Sequence, residues 1–133
     1  MLIFFLLSAP VFANIKIVSI FPNPETDAKS NEFIELQNLG CKSVDLSEYF
    51  LKKQETKNPR PLAGTLAPGE SRKFYRANGG LVLKDDDDTI SLVSKDGKMI
   101  DEVQYTKNNA KKGNILTFSH EADKCDSDVE KHD

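Results

Sequence analysis

Few side chains in this sequence have the type and spacing to do chemistry. Cys41 and Cys125 are its only thiols, and His120 and His132 its only imidazoles. In an oxidising compartment the two cysteines can pair, and a bridge closing so long a loop is worth up to about 4.6 kcal/mol in the loop-entropy account. It would pin the acidic C-terminal end to a loop near the front of the chain. Two unrelated free thiols are the other reading, because sequence does not fix how closely two Cα atoms approach. Cys125 with His120 and His132 matches no compact metal-ligand spacing, so no metal site is assigned.

Glu32 and Glu35 fall on opposite faces of one extended segment, which is not the arrangement of a general acid–base pair. There is no phosphate-cradling glycine loop, zinc motif or nucleophile elbow. Both histidines lie at or beyond the end of the folded part, where no rigid element would hold a base against a substrate. The chain is therefore expected not to be an enzyme, with no catalytic residue and no cofactor. Asp85–Asp88 offers oxygens of the kind Ca²⁺ takes, but consecutive residues of an extended segment point alternately outward. Four adjacent carboxylates repel and resist burial, so a solvated loop is the expectation.

The basic residues are the other candidates. Residues 42–84 carry a formal charge of +5, against −5 for residues 85–105 and −4 for residues 119–133. Lys52, Lys53, Lys57, Arg60, Arg72, Lys73 and Arg76 would make a phosphate-binding face if they converge. Dispersed over loops and an edge strand, they would serve solubility alone.

The elements that must position these groups read as strands. Ile15, Val18 and Ile20 lie in a β-branched run closed by Pro22-Asn23-Pro24. Residues 32–38 alternate, with Ile34 and Leu36 on one face and Glu35 and Gln37 on the other. Ser47–Leu51 suits a helix start or a short strand equally. A polar loop is expected over 52–61 and a type II turn at Pro68-Gly69. A strand over Arg72–Arg76 is followed by an Asn78-Gly79-Gly80 turn and Leu81-Val82-Leu83. Asp96-Gly97 between two β-rich runs predicts a hairpin. A parity switch after Ile100 predicts a bulge near Asp101-Glu102, and Ile115–Phe118 is the last strand. Roughly seven to nine short strands without an amphipathic helix describe an all-β immunoglobulin-like sandwich in one domain. Hydrophobic residues at 38% and charged ones at 29% suit a globular domain rather than a disordered chain.

The ends are set apart. Met1–Ala13 joins an apolar run to small residues at Val11 and Ala13, the layout of a secretory signal peptide cut before Asn14. It is too short to span a bilayer. The basic start of such a leader would sit upstream of Met1; a buried N-terminal strand is the alternative. No cysteine follows the cut, so a lipid anchor is not indicated. The domain is expected over 14–118, and 119–133 as a disordered acidic tail.

The series Ile17-Val18-Ser19-Ile20-Phe21-Pro22-Asn23-Pro24, Asn31-Glu32-Phe33-Ile34-Glu35-Leu36-Gln37-Asn38 and Val44-Asp45-Leu46-Ser47 resembles the opening of a lamin tail domain of the bacterial secreted type. Leu66-Ala67-Pro68-Gly69-Glu70, Thr89-Ile90-Ser91-Leu92-Val93 and Gly97 through Tyr105 continue the resemblance. Phe33 and Tyr49 replace the tryptophans common in bacterial members, and the acidic run replaces a shorter loop. The resemblance implies an accessory module without catalytic residues. In nuclear lamins it is a partner- and DNA-binding tail; bacterial relatives are secreted or surface-associated. The function expected is thus a secreted, periplasmic or cell-surface interaction or structural module, its partner a protein or cell-envelope component, with no membrane span in the mature chain. The alternative is a module binding DNA or acidic polysaccharide through Lys52, Lys53, Arg60, Arg72, Lys73 and Arg76.

Overall fold

The computed structural model describes residues 13–54, 59–78 and 81–126. The expected leader up to Phe12, Lys57, the Gly79-Gly80 part of the expected turn and the end of the expected tail from Ser127, with His132, lie outside the described residues.

Ten strands are found among the described residues: β1 Ile15–Phe21, β2 Phe33–Asn38, β3 Val44–Asp45, β4 Tyr49–Lys53, β5 Arg60–Pro61, β6 Thr65–Leu66, β7 Ser71–Tyr75, β8 Asp88–Ser94, β9 Met99–Tyr105 and β10 Leu116–Thr117. Two four-stranded sheets, in the orders β10-β1-β2-β7 and β5-β4-β8-β9, face each other, and β3 pairs separately with β6. All the pairings are antiparallel. The result is the all-β, immunoglobulin-like sandwich that the alternation requires.

Why these strands face this way follows from their period. Ile34 and Leu36 of β2 are fully buried, and across the core β4 and β8 contribute Leu51, Ile90 and Leu92. These join Ile20, Phe74, Val103 and Tyr105 in one cluster drawn from both sheets. Each fully buried Leu or Ile contributes about 1.5–3 kcal/mol of transfer free energy. In β1 the buried set is Ile15, Ile17 and Ile20 rather than one unbroken alternation. The pairing with β2 shifts register between Ile17 and Ser19, and the bulge at Val18 turns the later residues to the other face.

The turns match their residues. Gly69 has φ +83°, and Glu70 N–H donates to the Ala67 carbonyl at 2.9 Å, closing the Pro68-Gly69 turn. Gly97 sits at φ +86° in the β8–β9 hairpin. The bulge expected near Asp101-Glu102 falls one residue earlier: Leu92 pairs with Asp101 and Val93 with Met99, leaving Ile100 extra. The ambiguity at Ser47 resolves into both options in turn. A 3-10 turn over Leu46–Glu48, capped by the Asp45 carboxylate accepting from Ser47 N–H, leads straight into β4. The polar loop expected over 52–61 is shorter at both ends, because Lys52 and Lys53 complete β4 and Arg60 and Pro61 form β5. A four-residue helix, α1 Ala28–Asn31, lies between β1 and β2; it buries no side chain and so leaves no apolar period to read.

Candidate functional site

The basic residues do not gather on one sheet. Lys52, Lys53 and Arg60 belong to β4 and β5, whereas Arg72 and Lys73 lie on β7 in the opposite sheet and Arg76 begins the 3-10 turn that follows. Half of the six are already paired with acids. Lys53 Nζ lies 3.8 Å from Asp88, Arg72 lies 3.3 Å from Glu70, and Arg76 lies 3.8 Å from Glu32. Arg72 also donates to the Thr65 carbonyl at 2.9 Å. Lys73 Nζ stands 4.6 Å from the centre of the Phe33 ring, a cation–π distance. Among the described residues, no ion pair reaches Lys52, Arg60 or Lys73.

The partners across these pairs include residues that sequence placed in solvent. Asp88 is the clearest correction: its side chain is only 6% exposed. It opens β8 with the parity of Ile90 and Leu92, so it points to the rim of the interior. There it accepts from Thr89 N–H at 2.8 Å and from Lys84 N–H at 3.3 Å, and Lys53 neutralises it. Partners, rather than solvent, offset the burial cost of this carboxylate. Asp87 accepts from Lys107 N–H at 3.0 Å. Both carboxylates line an open concavity of about 550 Å³ with Gln54, Thr89, Gln104 and Tyr105. Their oxygens are thus engaged within the fold, and no cluster of three metal-ligating side chains occurs among the described residues.

Glu32 is the most perturbed acid. It is 2% exposed, accepts a short hydrogen bond from Leu83 N–H and faces Arg76. Burial raises its carboxyl to about 7, against the smaller opposing pull of the Leu83 hydrogen bond and of Arg76. Its backbone carbonyl accepts from Arg76 N–H at 2.9 Å. Glu32 therefore anchors both ends of the crossing from β7 to β8, where Leu81 and Leu83 are buried and Val82 is half exposed. Tyr105 donates to the Lys84 carbonyl at 2.7 Å, and burial raises its hydroxyl too. Glu35, on the opposite face, accepts from the Ser19 hydroxyl at 2.6 Å; the two glutamates do not meet.

One feature left no trace in the sequence. On the outer face of the first sheet, Phe21, Phe33 and Tyr75 form a row of edge-on contacts with centroids 5.7 Å apart at each step. Neighbours across strands depend on register, which no local pattern encodes. At another corner the residues before β1, the loop after β2 and the segment after β10 meet. Cys41 and Cys125 are joined by a disulfide with their Cα atoms 5.5 Å apart. Asp123 N–H donates to the Leu39 carbonyl at 2.8 Å, and Asn14 Nδ2 donates to Asp123 at 3.0 Å. The expected tail thus has its first part, Ser119–Asp126, set against the domain.

Residues 8–107 match the family profile described as Lamin Tail Domain. No curated protein matches the chain. Among solved structures, similarity is found to the archaellum periplasmic stator protein FlaG from Sulfolobus acidocaldarius. It has 15% identity and a TM-score of 0.44, and it covers 71% of this chain and 100% of that one.

Proposed function

The chain belongs to the Lamin Tail Domain family, and on that premise we propose that it is an interaction or structural module of the bacterial secreted type. It is non-catalytic, and it works outside the cytoplasm, in the periplasm, at the cell surface or beyond. Among the described residues no helix is long and apolar enough to cross a membrane. Met1–Ala13 is the export signal, Asn14 the mature start, and Cys41 and Cys125 pair after export. The partner is a protein or a cell-envelope component.

The observation that carries this reading is the Cys41–Cys125 pair tying the segment after β10 to the loop after β2, since such bridges persist where the surroundings are oxidising. The polyanion alternative loses support from the internal pairing of Lys53, Arg72 and Arg76. The test is mass spectrometry of protein exported from a bacterial host. A mature chain beginning at Asn14 and lacking two thiol hydrogens is expected. A chain still beginning at Met1 with both thiols free would overturn export and pairing together.

A further inference from the structure

The last described stretch of the chain runs along β1 like a strap. It starts as β10, where Leu116 pairs with Ile20 and Thr117 with Ser19. Phe118 N–H then donates to the Val18 carbonyl at 2.9 Å. His120 donates from Nε2 to the Ile17 carbonyl at 3.2 Å, and Asp123 reaches Asn14 and Leu39 as described. The Ile17 N–H is taken by the Asp101 carboxylate of β9 at 2.8 Å. Side chains and single backbone bonds, rather than a full strand, therefore cover the edge of β1 from Asn14 to Val18. Beyond Phe118 the strap has little apolar anchorage: His120–Lys124 are exposed. Its far end is held by Cys125.

We propose that residues 119–125 are a redox-controlled strap, which the Cys41–Cys125 disulfide closes over the edge of β1 and which opens when the disulfide is reduced. Closing is an oxidation. A disulfide donor takes the two electrons and two hydrogens of the thiols through a mixed disulfide and leaves as its dithiol, while the Cys41–Cys125 bond forms. Opening by an external dithiol is the reverse. The few weak bonds of an exposed segment do not hold it once the covalent tie is gone, whereas β1 stays in place through β2 and the core. Opening uncovers a strand edge, the part of a sheet most able to pair with another chain. The inference rests on pairing after export, as proposed above.

Amide hydrogen exchange on the full-length exported chain tests it, with and without dithiothreitol, after its thiols have been counted by mass. Two free thiols in the exported chain would end both this inference and the pairing it rests on. With the disulfide present, reduction is expected to speed exchange at Asp123 by about tenfold or more, with Phe118, which packs on the core, and Ile90 of β8 unchanged. Cys125→Ser should reproduce the reduced pattern without reductant. Unchanged exchange at Asp123 would overturn the strap while leaving the pairing intact. Equal acceleration at Ile90 would also overturn it, showing the bridge to be a staple of the whole fold.

Discussion

At the scale of single residues, Glu32 shows how tertiary surroundings decide the chemistry of a side chain. Its carboxyl ordinarily titrates near 4.5 and is raised to about 7 in the fold. Between those values the folded chain binds more protons than the unfolded one, so this residue's contribution is fully present below the ordinary value and is lost as pH rises through 7. Thermal midpoints from pH 5 to pH 8 should therefore fall more steeply for the native chain than for Glu32→Gln; parallel curves would mean that Glu32 is not desolvated. Nothing local hints at this, since Glu32 looks like any acid at the end of a polar stretch and its burial depends on Leu83 and Arg76 arriving from a distant crossing. Leu36 is the opposite case. Its alternation with Glu35 and Gln37 places it inward on sequence grounds, and it is fully buried. Leu36→Ala should cost about 2–5 kcal/mol in denaturant unfolding, a large part of the stability of a domain this size.

At the scale of elements, the loop between β5 and β6 is held by a contact that a single methyl would break. Gly64 has φ +98°, and a side chain there would run into the Arg72 guanidinium, which holds the Thr65 carbonyl. Gly64→Ala should lower stability by about 1 kcal/mol or more, through backbone strain and the displaced Arg72, read as a shifted urea midpoint. The basic strands β4 and β7 carry the test of the polyanion alternative. Replacing Lys52, Lys53, Arg72 and Lys73 with Gln should leave affinity for duplex DNA or an acidic polysaccharide weak and almost unchanged at physiological salt. Their charges lie on two sheets and are partly neutralised. Sub-micromolar binding that the four substitutions abolish, with a log–log salt slope near −0.9 per phosphate, would restore that alternative.

At the scale of the whole molecule, the domain is a sandwich in which the segment after β10 is tied by Asp123 and Cys125 to the loop after β2. Cys41→Ser with Cys125→Ser should shift the urea midpoint little, because the released strap gains freedom in the folded chain much as the unlinked loop does in the unfolded one, measured by chemical unfolding of the oxidised native protein against the double variant. By itself the sequence determined the β class, the inward face of β2, the Pro68-Gly69 turn and the Asp96-Gly97 hairpin. Each of these follows from period or turn chemistry within a few residues. Only the tertiary structure decided that Lys53 meets Asp88, that Arg76 meets Glu32, that Phe33 lies between Phe21 and Tyr75, and that Cys125 reaches Cys41. Those pairings depend on where long connections return the chain and on the register between strands. A bulge such as Val18 resets that register without a local signal strong enough to read, so side chains far apart in sequence acquire partners, charges and burial that no short stretch of residues specifies.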